Sequence, residues 1–388
     1  MPAHPRLKSI AVHRDGAQLI LYRRALERVH LDDPTGSIAH LLELLSTGAH
    51  ELADLPDAMA ARGAPVSAAE VGQAVAEFDR LGILDDARGD DVLDAGTRER
   101  HQSNLRFYDL FSRLDHPSAG FQRAAERSSV LLLGAGGLGG GVLQSLVGLG
   151  VGRVTLVDCD VVETRNLARQ FVYGPAAVGR RKVEAARDWA ASYSPATHVV
   201  PVHERVTDTA TVQELGRDAD IVVCAIDSPD DVQLIVNDAC FALGVPLVTG
   251  GLSYSTLTYW SVEPGRTPCR LCLELHRDEE LATLAPALRR DPFLAPSAVN
   301  RATGPVAQIA CGLVAMETMR YLTQTDPPVA AATYQVIELA DGLATSQVGW
   351  QRHPGCRLCA GAHRRSRFSP LRRRGGEPAA VTVEGASA

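Results

Sequence analysis

The chain has 388 residues and a formal net charge of −7, with 45% hydrophobic and 22% charged residues. This composition excludes a largely disordered chain and predicts two or three domains with a sizeable buried core. The excess of acidic residues gives no overall basis for binding nucleic acid.

Three features bear on the compartment. The N-terminal basic residues Arg6, Lys8 and Arg14 are spread among polar ones, unlike a signal peptide. The apolar run Ser129–Gly152 is interrupted by glycines, which favours a strand, loop and helix over a membrane span. The eight cysteines do not resemble an extracellular disulfide set. We therefore expect a reducing cytoplasm, with neither a membrane nor nucleic acid as partner.

Residues 1–90 are predicted to form a separate small α+β domain. Asp15-Gly16 lies between two apolar segments, which predicts a hairpin. A helix with apolar residues at helical spacing is predicted over Ser37–Leu45, with Thr35 or Ser37 as its cap. The capping box Ser67–Glu70 predicts the start of another helix, over Val71–Leu81.

A hairpin followed by helices resembles a winged-helix peptide-recognition element of enzymes that modify ribosomally made peptides. A helix-turn-helix accessory domain of another purpose is the alternative. Residues 1–90 carry many acids and no basic helix face, so the leader segment of a precursor peptide is favoured over DNA as the ligand. Residues 91–128 are predicted to be a linker and an amphipathic helix over His101–Glu126, and residues 361–388 a disordered basic tail.

A glycine-rich segment opens the main domain, predicted over residues 129–360. The apolar strand Val130–Leu133 leads into Gly134, Gly136, Gly137 and Gly139, and a helix follows. In this context, backbone N–H groups and the helix N-terminus can face phosphate oxygens. The carboxylate that ends the second strand, Asp158, stands where ribose hydroxyls are held in dinucleotide enzymes.

The residues that follow Asp158 favour a nucleoside triphosphate over a dinucleotide, because acids, amides and cations are packed together there. Arg169 and Lys182 could neutralise phosphates, although surface ion pairs are the alternative. The strand Ile221–Ile226 delivers Asp227 to its carboxyl end, where it could hold Mg²⁺ or cap a helix. Three further polar residues complete the predicted cluster: Asp160, Asn166 and Gln170.

Two CxxC pairs predict one structural zinc site of four thiolates, Cys269, Cys272, Cys356 and Cys359. The pairs are remote in sequence, so the metal would join two distant segments of one domain. The other four cysteines lie in apolar segments and are expected to be small buried hydrophobes: Cys159, Cys224, Cys240 and Cys311.

From about residue 100 to 359, the chain resembles the E1-like (ThiF/MoeB/MccB) adenylyltransferase family. The resemblance rests on motifs in order: GxGGLG at Gly134–Gly139, DxDxV with NLxRQ at Asp158–Gln170, Lys182, Asp227, TPCxxC, and HPGCxxC at His353–Cys359. It implies an α/β Rossmann-like domain, ATP-dependent adenylation of a carboxylate, and a structural zinc. By position it implies Asp158 on ribose, Mg²⁺ on Asp227, and phosphates on Asn166, Arg169, Gln170 and Lys182.

Two departures from the family pattern refine the expectation. Leu273–Gly304 has no cysteine to carry an acyl thioester, which favours adenylation without an enzyme thioester. The family often takes an arginine from the partner of a homodimer, and Arg106 is the expected counterpart, with Ser103 the alternative occupant of that position. The favoured function is adenylation of a precursor peptide. The alternatives are a non-catalytic delivery partner of a YcaO-type cyclodehydratase and a sulfur-carrier adenylyltransferase.

Overall fold

The computed structural model describes residues 3–24, 27–284 and 302–359. The chain divides into two compact units, with the boundary between Arg123 and Ala124. The predicted basic tail at 361–388, and most of the segment between the first CxxC pair and Gly304, lie outside the described residues. Within the described ranges, no helix has both the length and the apolar character that a membrane crossing requires.

The first unit combines two small sheets with short helices. Its strands are β1 (Pro5–Leu7), β2 (Ala11–Asp15), β3 (Gln18–Arg24), β4 (Glu27–Asp32) and β5 (Leu84–Asp86). Its helices are α1 (Ser37–Leu45), α2 (Leu55–Ala61), α3 (Ala68–Arg80), α4 (Ala95–Arg100), α5 (Gln102–Tyr108) and α6 (Ser118–Arg127), which ends in the second unit. β2, β3 and β4 form an antiparallel sheet, and β1 pairs with β5.

The local sequence signals of this unit are partly confirmed. The hairpin at Asp15-Gly16 joins β2 to β3, and the Ser67–Glu70 capping box opens α3. The capping of α1 differs from the prediction: Asp33 accepts the N–H groups of Ile38 and Ala39 at 2.9 and 3.2 Å, while Thr35 accepts the Ser37 N–H at 3.4 Å. A carboxylate several residues upstream can reach these donors because the intervening turn folds back over the helix start.

The helix predicted over His101–Glu126 is interrupted in the structure. α5 ends at Tyr108, and the backbones of Arg113 and His116 then hydrogen-bond to each other at 3.0 Å in both directions. This tight reversal turns the chain before α6 begins. The break falls at Pro117, a residue that interrupts helices, and the prediction from apolar spacing did not take it into account.

The second unit is built around a sheet of eight strands. The strands are β6 (Ser129–Leu133), β7 (Arg153–Val157), β8 (His198–Val202), β9 (Ile221–Cys224), β10 (Leu247–Ser253), β11 (Thr256–Val262), β12 (Thr333–Glu338) and β13 (Ala344–Gly349). The helices are α7 (Gly137–Leu149), α8 (Lys182–Tyr193), α9 (Thr209–Leu215), α10 (Val232–Leu243), α11 (Arg270–Thr283) and α12 (Gly304–Thr323).

The order of the sheet is β8-β7-β6-β9-β10-β11-β12-β13, with the first five strands parallel and the last three added antiparallel. Alternate residues of β6 enter different core clusters: Val130 and Leu132 pack on one face, Leu131 and Leu133 on the other. Both faces are therefore covered, which explains the continuous apolar run. The predicted α/β Rossmann-like sheet is confirmed.

This topology sets the position of the site. Connections from β6 and β9 leave in opposite directions along the sheet, so a crevice opens between the carboxyl ends of these two neighbouring strands. In open parallel sheets such crevices are the usual place for ligands.

Candidate functional site

The glycine-rich turn after β6 packs against its neighbours more closely than any side chain would permit. Gly134 has φ of +104°, and a Cβ on it would lie 2.5 Å from the carbonyl oxygen of Ala225, after β9. A Cβ on Gly139 would lie 1.9 Å from the carbonyl oxygen of Gly134. The Gly134 N–H donates to the Val157 carbonyl at 2.7 Å, which ties the turn to β7. Only glycine fits at these two positions.

Asp158 holds the loops that follow β6 and β7 together. It is buried, and one carboxylate oxygen accepts the Ala135 N–H at 2.7 Å while the other accepts the Asp160 N–H at 2.8 Å. The predicted ribose ligand is therefore also a structural acceptor. Each oxygen retains a second lone pair for a ligand hydroxyl.

An ion pair joins a buried lysine to an exposed aspartate, both of them predicted site residues. Lys182, the first residue of α8, has a side chain 7% exposed, and its Nζ lies 2.8 Å from Oδ2 of Asp160. The Lys182 hydrogen bond is the main reason why the pKa of Asp160 is held below its usual value. Lys182 is thus no free surface cation. Its ammonium group is held by an ion pair with Asp160.

Gln170 and Arg169 approach the glycine turn. A Cβ on Gly136 would lie 3.9 Å from Nε2 of Gln170, and a Cβ on Gly137 would lie equally far from Arg169. Gln170 is 4% exposed, and among the described residues its Oε1 is buried without a hydrogen-bond partner. Such an unpaired acceptor is costly unless a ligand or ordered water meets it. Arg169 Nη1 donates to the Arg165 carbonyl at 3.3 Å, its one hydrogen bond within the described ranges.

Asn166 is buried and organises the backbone rather than facing outward. Its Oδ1 accepts the Glu163 N–H at 2.9 Å and closes a single 3₁₀ turn. This turn carries Arg169 and Gln170 towards the glycine-rich loop.

A cleft of about 110 Å³ opens at the carboxyl ends of β7, β8 and β9. It brings together three of the predicted acids, Asp158, Asp160 and Asp227. The sequence interpretation missed the contribution of the loop after β8, whose Glu204, Arg205 and Val206 also line the cleft. The signal for them was available, because they directly follow a strand of the parallel sheet.

Arg106 lies in the first unit, on α5. Its side chain is 63% exposed and its Nη1 lies 3.3 Å from Asp109. Its expected contribution to a partner's site stays a prediction.

The two CxxC pairs converge into one buried cluster. The four sulfur atoms lie within 4.8 Å of one another, with Cys269 Sγ 3.9 Å from Cys272 Sγ and 3.6 Å from Cys356 Sγ. Zinc with Zn–S bonds near 2.3 Å in a tetrahedron places its sulfurs about 3.8 Å apart. The residues present therefore fit a zinc ion.

The pKa values of two of these thiols are shifted in opposite directions. Burial raises the pKa of Cys272 to about 11, whereas a hydrogen bond with Cys269 lowers the pKa of Cys359 to about 5. A bound divalent cation is what lets all four ionise together.

Backbone contacts pre-shape the cluster. Cys272 N–H donates to the Cys269 carbonyl at 3.1 Å and closes a turn within the first pair, and Cys356 N–H donates to the His353 carbonyl at 3.0 Å and closes the turn that leads into the second pair. The indole N–H of Trp350 donates to the Cys269 carbonyl at 3.0 Å and links the segments that carry the two pairs.

Comparison with known proteins agrees with this geometry. The profile described as the ThiF family matches residues 108–358. The chain belongs to the ThiF family. It is an E1-like adenylyltransferase, in line with the names of its curated relatives. The molybdopterin-synthase adenylyltransferase of Salmonella typhimurium is 30% identical over 245 residues, covering 61% of this chain and 89% of that protein. Its Escherichia coli counterpart is 31% identical over 244 residues, with the same coverage.

Solved structures extend the likeness beyond the sheet unit. E. coli MccB, crystallised with AMPCPP and MccA, superposes with a TM-score of 0.70 at 18% identity, covering 92% of this ThiF-family chain and 99% of MccB. PaaA gives a TM-score of 0.68 at 19% identity, covering 88% of this chain and 98% of PaaA. At these identities the comparison establishes the fold alone. The roles of individual site residues stay predictions.

Proposed function

We propose that this protein uses ATP to adenylate a carboxylate of a ribosomally made precursor peptide, without an enzyme thioester. The observation that carries the nucleotide site is the cleft lined by Asp158, Asp160 and Asp227, beside a glycine turn that no larger residue fits. The unpaired buried Oε1 of Gln170 supports a polar ligand over that turn.

In the proposed reaction a carboxylate oxygen attacks the α-phosphorus. The new bond is O–Pα, the bond from Pα to the bridging oxygen of the β-phosphate breaks, and pyrophosphate leaves with the electron pair. Two anions must approach each other, so cations are the main requirement. Arg169 and Lys182 would supply fixed positive charge. Asp227 would hold Mg²⁺, which neutralises phosphate charge when bound.

The proposed roles of the remaining residues follow from position. Gly134, Gly136, Gly137 and Gly139 would let backbone N–H groups reach the phosphates. The carboxylate of Asp158 would take a ribose hydroxyl on its unused lone pairs. Asp160 would hold Lys182 in place until the nucleotide shares its charge. The four-cysteine cluster would hold a structural zinc.

The substrate class is proposed from the first unit. Residues 1–90 would be a winged-helix leader-binding domain, 91–128 a linker with helices, 129–360 the adenylation domain, and 361–388 a basic tail. The three-stranded sheet β2–β4 followed by α1–α3 supports the first assignment. The likeness to MccB, whose structures include MccA, supports a peptide substrate.

Activation of a sulfur-carrier protein is the second candidate, because the curated relatives include molybdopterin-synthase adenylyltransferases. The absence of cysteine in Leu273–Gly304 favours the peptide, since this stretch has no thiol to carry an acyl thioester or a persulfide. A cytoplasmic homodimer, with Arg106 crossing to the partner's site, completes the proposal.

Pyrophosphate–ATP exchange tests the function directly. The full chain is assayed with Mg²⁺ and with candidate peptides ending in a free carboxylate, and in parallel with a carrier protein ending in Gly-Gly. Exchange with a peptide alone supports the proposal, and exchange with the carrier alone supports the second candidate. Exchange with neither, despite peptide binding, would instead support the non-catalytic delivery role.

The variant Asp227→Ala should abolish exchange while zinc content and thermal midpoint are kept. Asp218→Ala is the matched control. This exposed acid precedes the amino end of β9, whereas Asp227 follows the carboxyl end of the same strand. Equal loss in both variants would contradict a specific role for Asp227.

A further inference from the structure

One buried hydroxyl beside the glycine-rich turn belongs to a residue outside the proposed adenylation site. Tyr173 is 6% exposed and packs in the core cluster on one face of the sheet. Its hydroxyl donates to the carbonyl of Ala135, inside the turn, at 2.7 Å. The carbonyl of Lys182, at the start of α8, lies 3.4 Å from the same hydroxyl and is the weaker acceptor. One side chain therefore contacts both elements that are proposed to bind phosphate.

A short reverse turn places Tyr173 against the glycine-rich segment. The Tyr173 N–H donates to the Gln170 carbonyl at 3.1 Å, so the chain folds back between these two residues. Both side chains then reach the same segment. Nε2 of Gln170 approaches Gly136, and the phenol of Tyr173 reaches the preceding residue, Ala135.

Ala135 is held at both of its polar backbone atoms. Its N–H donates to Asp158 at 2.7 Å, and its carbonyl accepts the Tyr173 hydroxyl at the same distance. Burial raises the pKa of Tyr173, so the hydroxyl keeps its proton and remains a donor. Ala135 is fully buried. Without the phenol its carbonyl would be a buried acceptor that has lost its partner, and rotation of the peptide would become favourable.

The direction of the Ala135 carbonyl also fixes the direction of the next N–H group. The peptide bond between Ala135 and Gly136 is trans, and in a planar trans peptide the C=O and N–H groups point to opposite sides. The carbonyl points inward to Tyr173, so the Gly136 N–H points away from the core. Within the described ranges this N–H donates to no protein acceptor. Gly136 is the N-cap of α7, where such an N–H is suited to a phosphate oxygen.

We propose that Tyr173 is a positioning residue for the triphosphate: by holding the Ala135 carbonyl inward, its hydroxyl aims the Gly136 N–H at a phosphate oxygen. This inference rests on the proposed nucleotide site and adds to it a residue that does not touch the ligand. The second contact, to the Lys182 carbonyl, keeps the start of α8 next to the turn. A phenylalanine at position 173 would fill nearly the same volume but would leave this peptide free to rotate.

The experiment compares a nucleotide with a ligand that lacks phosphate. Binding of AMPCPP and of adenosine to the full-length protein is measured by calorimetry in the presence of Mg²⁺, with displacement titrations for the weaker ligand. The proteins are the wild type, Tyr173→Phe and Tyr321→Phe. Tyr321 is the matched control, because its hydroxyl is also buried and lies 2.9 Å from Oγ of Ser261. It belongs to the last turn of α12 and contacts β11 instead of the glycine-rich turn.

We expect Tyr173→Phe to bind AMPCPP roughly tenfold more weakly, a factor equivalent to about 1.4 kcal/mol. A loss of this size matches the net contribution of one hydrogen bond. The affinity for adenosine should change less than about twofold, because adenosine has no phosphate to meet the Gly136 N–H. Tyr321→Phe should bind both ligands as the wild type does, although it also loses a buried hydrogen bond.

A second measurement uses the wild type and does not depend on the folding of Tyr173→Phe. The protein is prepared with isotopically labelled glycine, and the amide signal of Gly136 is assigned by nuclear magnetic resonance with the variant Gly136→Ala. This variant should fold, because a Cβ on Gly136 would meet nothing closer than 3.9 Å. The Gly136 signal should move downfield when AMPCPP binds and should stay in place when adenosine binds.

Four results would overturn the inference. Unchanged AMPCPP affinity in Tyr173→Phe would show that the hydroxyl does not position the turn. An equal loss for adenosine, or an equal loss of AMPCPP binding in Tyr321→Phe, would show general damage to the fold. A Gly136 signal that does not move with AMPCPP would show that its N–H does not meet phosphate. A wild type that bound neither ligand would refute the proposed nucleotide site itself, which is a distinct outcome.

Discussion

Breaking the four-cysteine cluster should destabilise the second unit. The size of the effect depends on the number of residues between the two CxxC pairs. Cys269 and Cys356 are 87 residues apart and their sulfurs lie 3.6 Å from each other. Cross-linking a loop of that length removes chain entropy worth about 4–5 kcal/mol by the relation used for disulfides. A zinc held by all four thiolates supplies that restraint, so Cys356→Ser should lower the free energy of unfolding by several kcal/mol.

The assay is urea denaturation of the purified full chain, with zinc measured on the same samples. Cys159→Ser is the control, because Cys159 is a cysteine outside the cluster. We expect about one zinc per chain in the wild type and in the control, and loss of both zinc and stability in Cys356→Ser. A wild type that contains no zinc, or a Cys356→Ser variant within about 1 kcal/mol of it, would refute this reasoning.

Two further predictions concern the glycine turn and a buried lysine. Gly139→Ala should weaken AMPCPP binding more than tenfold (over 1.4 kcal/mol), because the new Cβ would lie 1.9 Å from the Gly134 carbonyl oxygen. Gly148→Ala on the same helix is the control: its Cβ would meet nothing within 4 Å, and the variant should bind AMPCPP as the wild type does. Burial lowers the pKa of Lys8 from 10.5 to about 8. The unfolded chain therefore retains a proton that the folded first unit has released, and stability should rise from pH 8 to 10.5 by roughly 3 kcal/mol. Lys8→Met should abolish that rise in urea titrations across the window, and parallel pH curves for the two proteins would contradict the assignment.

The local signals in the sequence were sufficient for several elements. The Asp15-Gly16 hairpin and the Ser67–Glu70 capping box depend on residues within a few positions of one another, and both form as predicted. The continuous apolar run of β6, followed by glycines, identified a buried parallel strand and its turn. These features follow from backbone sterics and short-range hydrogen bonds, which neighbouring residues alone dictate.

Other features depend on groups that meet only after folding. The cap of α1 is Asp33 because the turn before the helix folds back. Asp158 accepts two backbone N–H groups because the loops after β6 and β7 lie side by side.

The amino-acid sequence by itself determined the parallel strand and glycine turn, the acids and cations of the proposed nucleotide site, and the four cysteines. Tertiary structure alone decided that Lys182 pairs with Asp160 and that Arg205 lines the cleft. The physical reason is range: propensities and turns act over a few residues, whereas strand order decides which distant loops share one edge of the sheet.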